Sequence, residues 1–104
     1  MNKELLHSVL FWLDPALPAE EVENFKGFFE ELEKIPTVKK LQFGRAASTG
    51  ERAVVDNSFT YSMVATFASL EDHDSYQEDD LHHRAIEKYS KYWTKVVVHD
   101  MLVI

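Results

Sequence analysis

Apolar positions along the chain repeat with two different periods, and the switches between them mark out its elements. Leu5 to Leu13 shows the period of two expected of a strand. His7, Val9, Phe11 and Leu13 share one face; Leu6, Ser8, Leu10 and Trp12 share the other. Both faces are largely apolar, which predicts cover on both sides of the sheet. Asp14 to Pro18 is loop-like, with Pro15 and Pro18 punctuating a turn. From Ala19 to Lys34 the spacing lengthens to that of a helix. Val22, Phe25, Phe28 or Phe29, Leu32 and Ile35 form one apolar stripe. Glu20, Glu21 and Glu23 favour the N-terminal dipole, and Pro36 ends the helix.

Val38 to Ala47 reads as a second strand with Leu41 and Phe43 on one face. Gly44 within it predicts a bulge or a close backbone approach. Ser48 to Ser58 is loop-like, and Ser48 to Arg52 reads as a polar hairpin-type connection. Ser58 to Ala68 is the clearest strand. Phe59, Tyr61, Met63, Ala65 and Phe67 line one face, and Thr60, Ser62, Val64 and Thr66 the other. The second face is small and neutral, which suits packing against another sheet. Ser69-Leu70-Glu71-Asp72 resembles a capping box opening a short helix to Glu78. Asp79 or Asp80 can cap a further helix from Leu81 to Tyr92. Trp93 to Val103 is the last strand.

This order, β-α-β-β-α-β, predicts an α+β, ferredoxin-like fold with a four-stranded antiparallel sheet. Helices cover one face of such a sheet. The other face, carrying Leu10, Trp12, Val64 and residues of the last strand, is bare in a lone subunit. Bare apolar surface of this kind marks an interface, and two-fold pairing of identical copies is the commonest way to cover it. A homodimer is therefore expected.

Composition narrows the function classes. A chain of 104 residues is the size of one domain, expected here to span 1–104. The formal net charge of -7 argues against nucleic acid or an anionic membrane as partner, since both require a basic surface. Without cysteine there is no disulfide, thiolate nucleophile or thiolate metal site. Apolar runs are too short to span a bilayer. Met1-Asn2-Lys3-Glu4 runs into the first strand with no apolar leader, so a cytoplasmic location is expected.

Several residues in order resemble the stress-responsive dimeric α/β-barrel family. They are His7-Ser8-Val9-Leu10-Phe11 on the first strand and Ile35-Pro36 after an acidic helix. Phe43-Gly44-Arg45 follows, then Tyr76 six residues before His82, then Trp93 opening a valine-rich strand that reaches Asp100. The resemblance covers nearly the whole chain. It implies a homodimer with a cavity in each subunit between sheet and helices. In a plant cyclase of that family, the residues matching His82 and Tyr76 carry acid–base work in an aldol-type ring closure, and the match to His7 shares their pocket. This chain departs from the family at Asp79-Asp80-Leu81-His82, where His-Pro-x-His is common, and at Tyr61, where a histidine is sometimes found.

The candidate site follows from these faces. His7, Val9 and Phe11 point to one side of the first strand, and Tyr61 and Met63 can point there from the third. Phe25 and Phe28 lie on the helical stripe; Tyr76, His82, Trp93 and Val96 lie in or after the second helical segment. Together they predict an apolar aromatic pocket with a few polar tips, suited to a small aromatic or carbonyl compound. His82 can exchange a proton near neutral pH, Tyr76 can hold a carbonyl oxygen, and His7 can orient the ligand. Such a set suits cofactor-independent lyase, cyclase or isomerase chemistry.

Plainer readings stand beside this one. His7 equally suits a hydrogen-bonded core histidine. His82 and His83 point in different directions, so at least one lies on the surface. Tyr76 and Trp93 can be packing residues and the phenylalanines core. The run Asp72, His73, Asp74, Asp79, Asp80, His82 and His83 has no metal-motif spacing, so it reads as a solvated acidic face and no metal is expected. A non-enzymatic stress-related structural homodimer is the rival reading. The antibiotic biosynthesis monooxygenases, which share this fold, supply a third.

Overall fold

The computed structural model describes residues 3–104. A four-stranded antiparallel sheet in the order β2-β3-β1-β4 carries helices on one face. The strands are β1 (Leu5–Leu13), β2 (Lys40–Gly44), β3 (Tyr61–Phe67) and β4 (Trp93–Leu102). The helices are α1 (Ala19–Asn24), α2 (Lys26–Leu32), α3 (Leu70–Glu78) and α4 (Asp80–Tyr89), the last followed by a 3-10 turn at Ser90–Tyr92.

β1 is central, and its burial alternates along its whole length. Leu5, His7, Val9, Phe11 and Leu13 are buried beneath the helices, as the period of two requires. Met63, Ala65 and Phe67 of β3 share that side, because the register sets Val9 against Met63 and His7 against Ala65. On the opposite side Leu6, Leu10, Trp12 and Val64 are half-buried. The Lys95 ammonium sits over the Trp12 ring at 4.6 Å.

The first expected helix is two helices in the structure, while the two expected after the third strand are separate, as their pattern predicts. The first breaks at Phe25, which closes α1 and opens α2 without leaving helical dihedrals. Phe25, Phe28, Phe29 and Leu32 are all buried. Asp79 separates α3 from α4: its extended backbone ends α3, and its Oδ1 accepts from the Leu81 amide at 2.8 Å to cap α4. Ser69 caps α3 by accepting from the Asp72 amide at 3.1 Å.

Two strands are shorter than their patterns predict. β2 stops at Gly44 instead of Ala47, where its pairing with β3 ends opposite Ser62. Thr60 bonds instead to β1, its amide donating to the Phe11 carbonyl at 2.8 Å. Phe59, expected on the inner face, lies edge-on to Trp12 at 6.5 Å on the other side. Gly44 marks neither a bulge nor a close approach: the β2–β3 register is continuous, and a Cβ there would meet nothing within 4 Å. Nothing in the structure requires glycine at that position. The Ser48–Arg52 segment belongs to a long irregular connection over 45–60.

Candidate functional site

A cavity of about 160 Å³ lies between the inner face of the sheet and the helices. Its floor is His7, Val9 and Phe11 of β1, Met63 of β3, and Trp93, Val96 and Val98 of β4. Phe28 and Leu32 of α2 close one wall; Tyr76, Gln77, His82 and Ile86 of α3 and α4 close the other. Apolar lining with a few polar groups is the make-up of a small-molecule pocket.

The break at Asp79 brings Tyr76 and His82 together. Tyr76 ends the buried side of α3, and His82 sits in the first turn of α4. Their rings pack edge-on with centroids 4.8 Å apart. His83, one residue on, is exposed. His82 Nδ1 is buried and has no hydrogen-bond partner among the described residues. An unmatched buried nitrogen is costly, and a polar partner supplied by a ligand would relieve that cost. Burial chiefly, and the neighbouring His83, His7 and His73, hold the His82 pKa below its ordinary value, against a weaker pull from Asp79. The imidazole is therefore neutral at neutral pH and able to accept a proton. Burial pushes the Tyr76 phenol well up, so it stays protonated and can only donate to an oxygen that carries negative charge.

His7 completes the polar side. It is buried on β1, with its ring centroid 5.9 Å from that of Tyr76. Its Nδ1 meets Asp100 Oδ1 at 2.6 Å, across the β1–β4 pairing that sets these two residues opposite each other. Burial lowers the His7 pKa more than Asp100 raises it. In the neutral ring, Asp100 fixes the proton on Nδ1 and leaves the Nε2 lone pair free. His73 of α3 also packs against His7, its ring centroid 5.0 Å away and 6.4 Å from that of Tyr76.

Of the residues expected at the pocket, His7, Val9, Phe11, Phe28, Met63, Tyr76, His82, Trp93 and Val96 line the cavity. Phe25 and Tyr61 do not. Phe25 is fully buried, stacked on Tyr61 with ring centroids 5.7 Å apart. The Tyr61 hydroxyl donates to the Val22 carbonyl at 2.9 Å, and Arg45 covers the ring. Both are core residues, because α1 and the start of α2 close over that end of the sheet. Leu32, Gln77, Ile86 and Val98 were not expected at the pocket, nor were Asp100 and His73 expected beside His7. A three-to-four spacing already places Leu32 beside Phe28. Asp100 ends the valine-rich strand of the family pattern, but its place beside His7 shows only once the β1–β4 register is known.

The sequence model of the stress responsive A/B barrel domain family matches residues 5–103. No curated protein matches the sequence. Solved structures share its fold at low identity. Hydroxynitrile lyase from Passiflora edulis is 18% identical with a TM-score of 0.81, over 100% of this chain and 96% of that one. A Dabb family protein with a ferredoxin-like fold from Mesorhizobium loti is 17% identical with a TM-score of 0.81, over 99% of both chains. A dimeric ferredoxin-like protein of unknown function from Thermobifida fusca is 18% identical with a TM-score of 0.78, over 99% of this chain and 93% of that one. Family sequence pattern and fold agree over nearly the full length, and the chain belongs to the stress responsive A/B barrel domain family.

Proposed function

We propose that the chain works as a homodimer, each subunit binding a small carbonyl or aromatic compound in its cavity and removing a proton from it without an organic cofactor. His82 is the general base, Tyr76 donates to the carbonyl oxygen as it gains negative charge, and His7 orients the bound compound. The observation that carries this reading is the buried, unpartnered Nδ1 of His82 at a cavity that Tyr76 and His7 also line. Volume limits the ligand: a cavity of about 150 Å³ holds benzene, and this one measures about 160 Å³. A single ring or a comparable ketone fits; a dinucleotide does not. Lyase, cyclase and isomerase steps can all begin with such a proton transfer, and a structural neighbour is named a hydroxynitrile lyase.

The test uses cyclohexanone in heavy water. Wild-type protein is expected to speed deuterium exchange beside the carbonyl, followed by proton NMR. His82→Ala should lower that rate by roughly 10²- to 10⁴-fold, the usual share of a general base. Tyr76→Phe should lower it with less effect on binding, read from the thermal shift given by benzaldehyde. Exchange and thermal shift unchanged in both variants would leave the non-enzymatic structural homodimer as the better reading.

A further inference from the structure

From the meeting of His7, His73 and Asp100 beside the cavity, we infer a binding site for a divalent first-row transition cation of the zinc type. One ring nitrogen of each histidine and one carboxylate oxygen all lie within 4.8 Å of one another. The three residues come from β1, α3 and β4 and are far apart in sequence, so their convergence is a property of the fold. Two imidazoles and a carboxylate, with no thiolate, form a borderline donor set that suits zinc and its neighbours better than calcium or magnesium.

The separations are close to what such an ion needs. Metal–ligand bonds of about 2.0–2.1 Å in a tetrahedron put donors roughly 3.3 Å apart. His7 Nδ1 and Asp100 Oδ1, at 2.6 Å, share a proton that the cation would replace. Small side-chain rotations then bring the three donors to bonding distance, leaving a fourth position for water. Support behind one ligand is already present. His73 Nδ1 lies 3.1 Å from Asp74 Oδ1, so Nδ1–H donates to Asp74 and Nε2 holds a lone pair. Gln77 donates weakly to that lone pair, its amide nitrogen 3.4 Å away, and the cation would displace it. A carboxylate behind a ligating histidine is the usual second layer of a zinc site. Access is graded: His7 is buried, His73 half-buried and the Asp100 side chain 41% exposed, so a cation reaches the site from the edge strand.

This site shares His7 with the proposed pocket but not His82 or Tyr76, and its test separates the two. Full-length protein, stripped with chelator, is titrated with zinc chloride by calorimetry and with cobalt chloride by visible absorption. One equivalent per chain is expected, with the intense d–d bands of low-coordinate cobalt. His73→Ala and Asp100→Asn should each weaken binding by more than about tenfold, while their metal-free circular dichroism matches wild type. His82→Ala should bind as wild type does. Absence of stoichiometric binding, or binding that survives His73→Ala and is lost in His82→Ala, would overturn the assignment. The deuterium-exchange result has no bearing on either outcome.

Discussion

His82 shows at a single residue how burial sets chemistry. Its ring is held in the neutral form by loss of water and by the charges that His83, His7 and His73 would carry, opposed only by Asp79; Tyr76, against its face, stays uncharged. Its folded-state pKa lies below the ordinary 6.5, so the unfolded chain binds the extra proton first. Stability from this group is complete above 6.5 and is lost as pH falls through the folded value. Melting temperature should therefore drop as pH is lowered from 7 towards 5, and His82→Leu should flatten part of that slope. A slope unchanged in the variant would show that the ring is not buried as described. The unpaired Nδ1 predicts a second effect, since removing a buried unsatisfied nitrogen costs little in its own right.

At the scale of elements, two breaks in helices do the positioning. The break at Asp79 sets Tyr76 against His82, and the one at Phe25 lets α2 lie close to α4. Gly27 of α2 sits at that contact, where an added Cβ would collide with the Tyr89 hydroxyl. Gly27→Ala should destabilise the fold by about 1–3 kcal/mol through overpacking, despite alanine's better helix propensity. Urea unfolding measures this, and the companion change Tyr89→Phe should recover most of the loss. Ser69→Ala removes the cap of α3 and should cost about 0.5–2 kcal/mol. The sequence pattern announces both caps, Ser69 through its capping-box spacing and Asp79 through its place before an apolar run. The break at Asp79 is announced with its cap, but the one at Phe25 is not, because Phe25 keeps the three-to-four stripe intact on either side. A break that preserves the apolar period leaves no trace in it.

For the whole molecule, the sheet face opposite the helices is the decisive surface. Leu6, Leu10, Trp12 and Val64 lie on it half-buried, and among the described residues nothing covers them further. In the proposed dimer a second copy does so. Trp12→Glu or Val64→Glu would bury an uncompensated charge there, at a cost of several kcal/mol. Light scattering should show wild-type protein at twice the chain mass and both variants at the chain mass, at micromolar concentration. A wild-type monomer would remove the dimer from the proposal. No helix among the described residues is long and apolar enough to cross a membrane.

The sequence by itself determined the strand faces, the element order and the family, because periods of two and of three to four are local consequences of backbone geometry. Those periods placed His7, Val9 and Phe11 on the inner face and Phe28 on the helical stripe, as the structure finds them. Only the tertiary structure decided which inward residues meet open space and which are simply packed. Phe25 and Tyr61 share the right faces with Phe28 and Met63, yet α1 closes over them. The pairing of His7 with Asp100 and the approach of His73 likewise depend on strand register and on the docking of α3. Both are fixed by long-range packing, and no spacing along the chain encodes the distance between them.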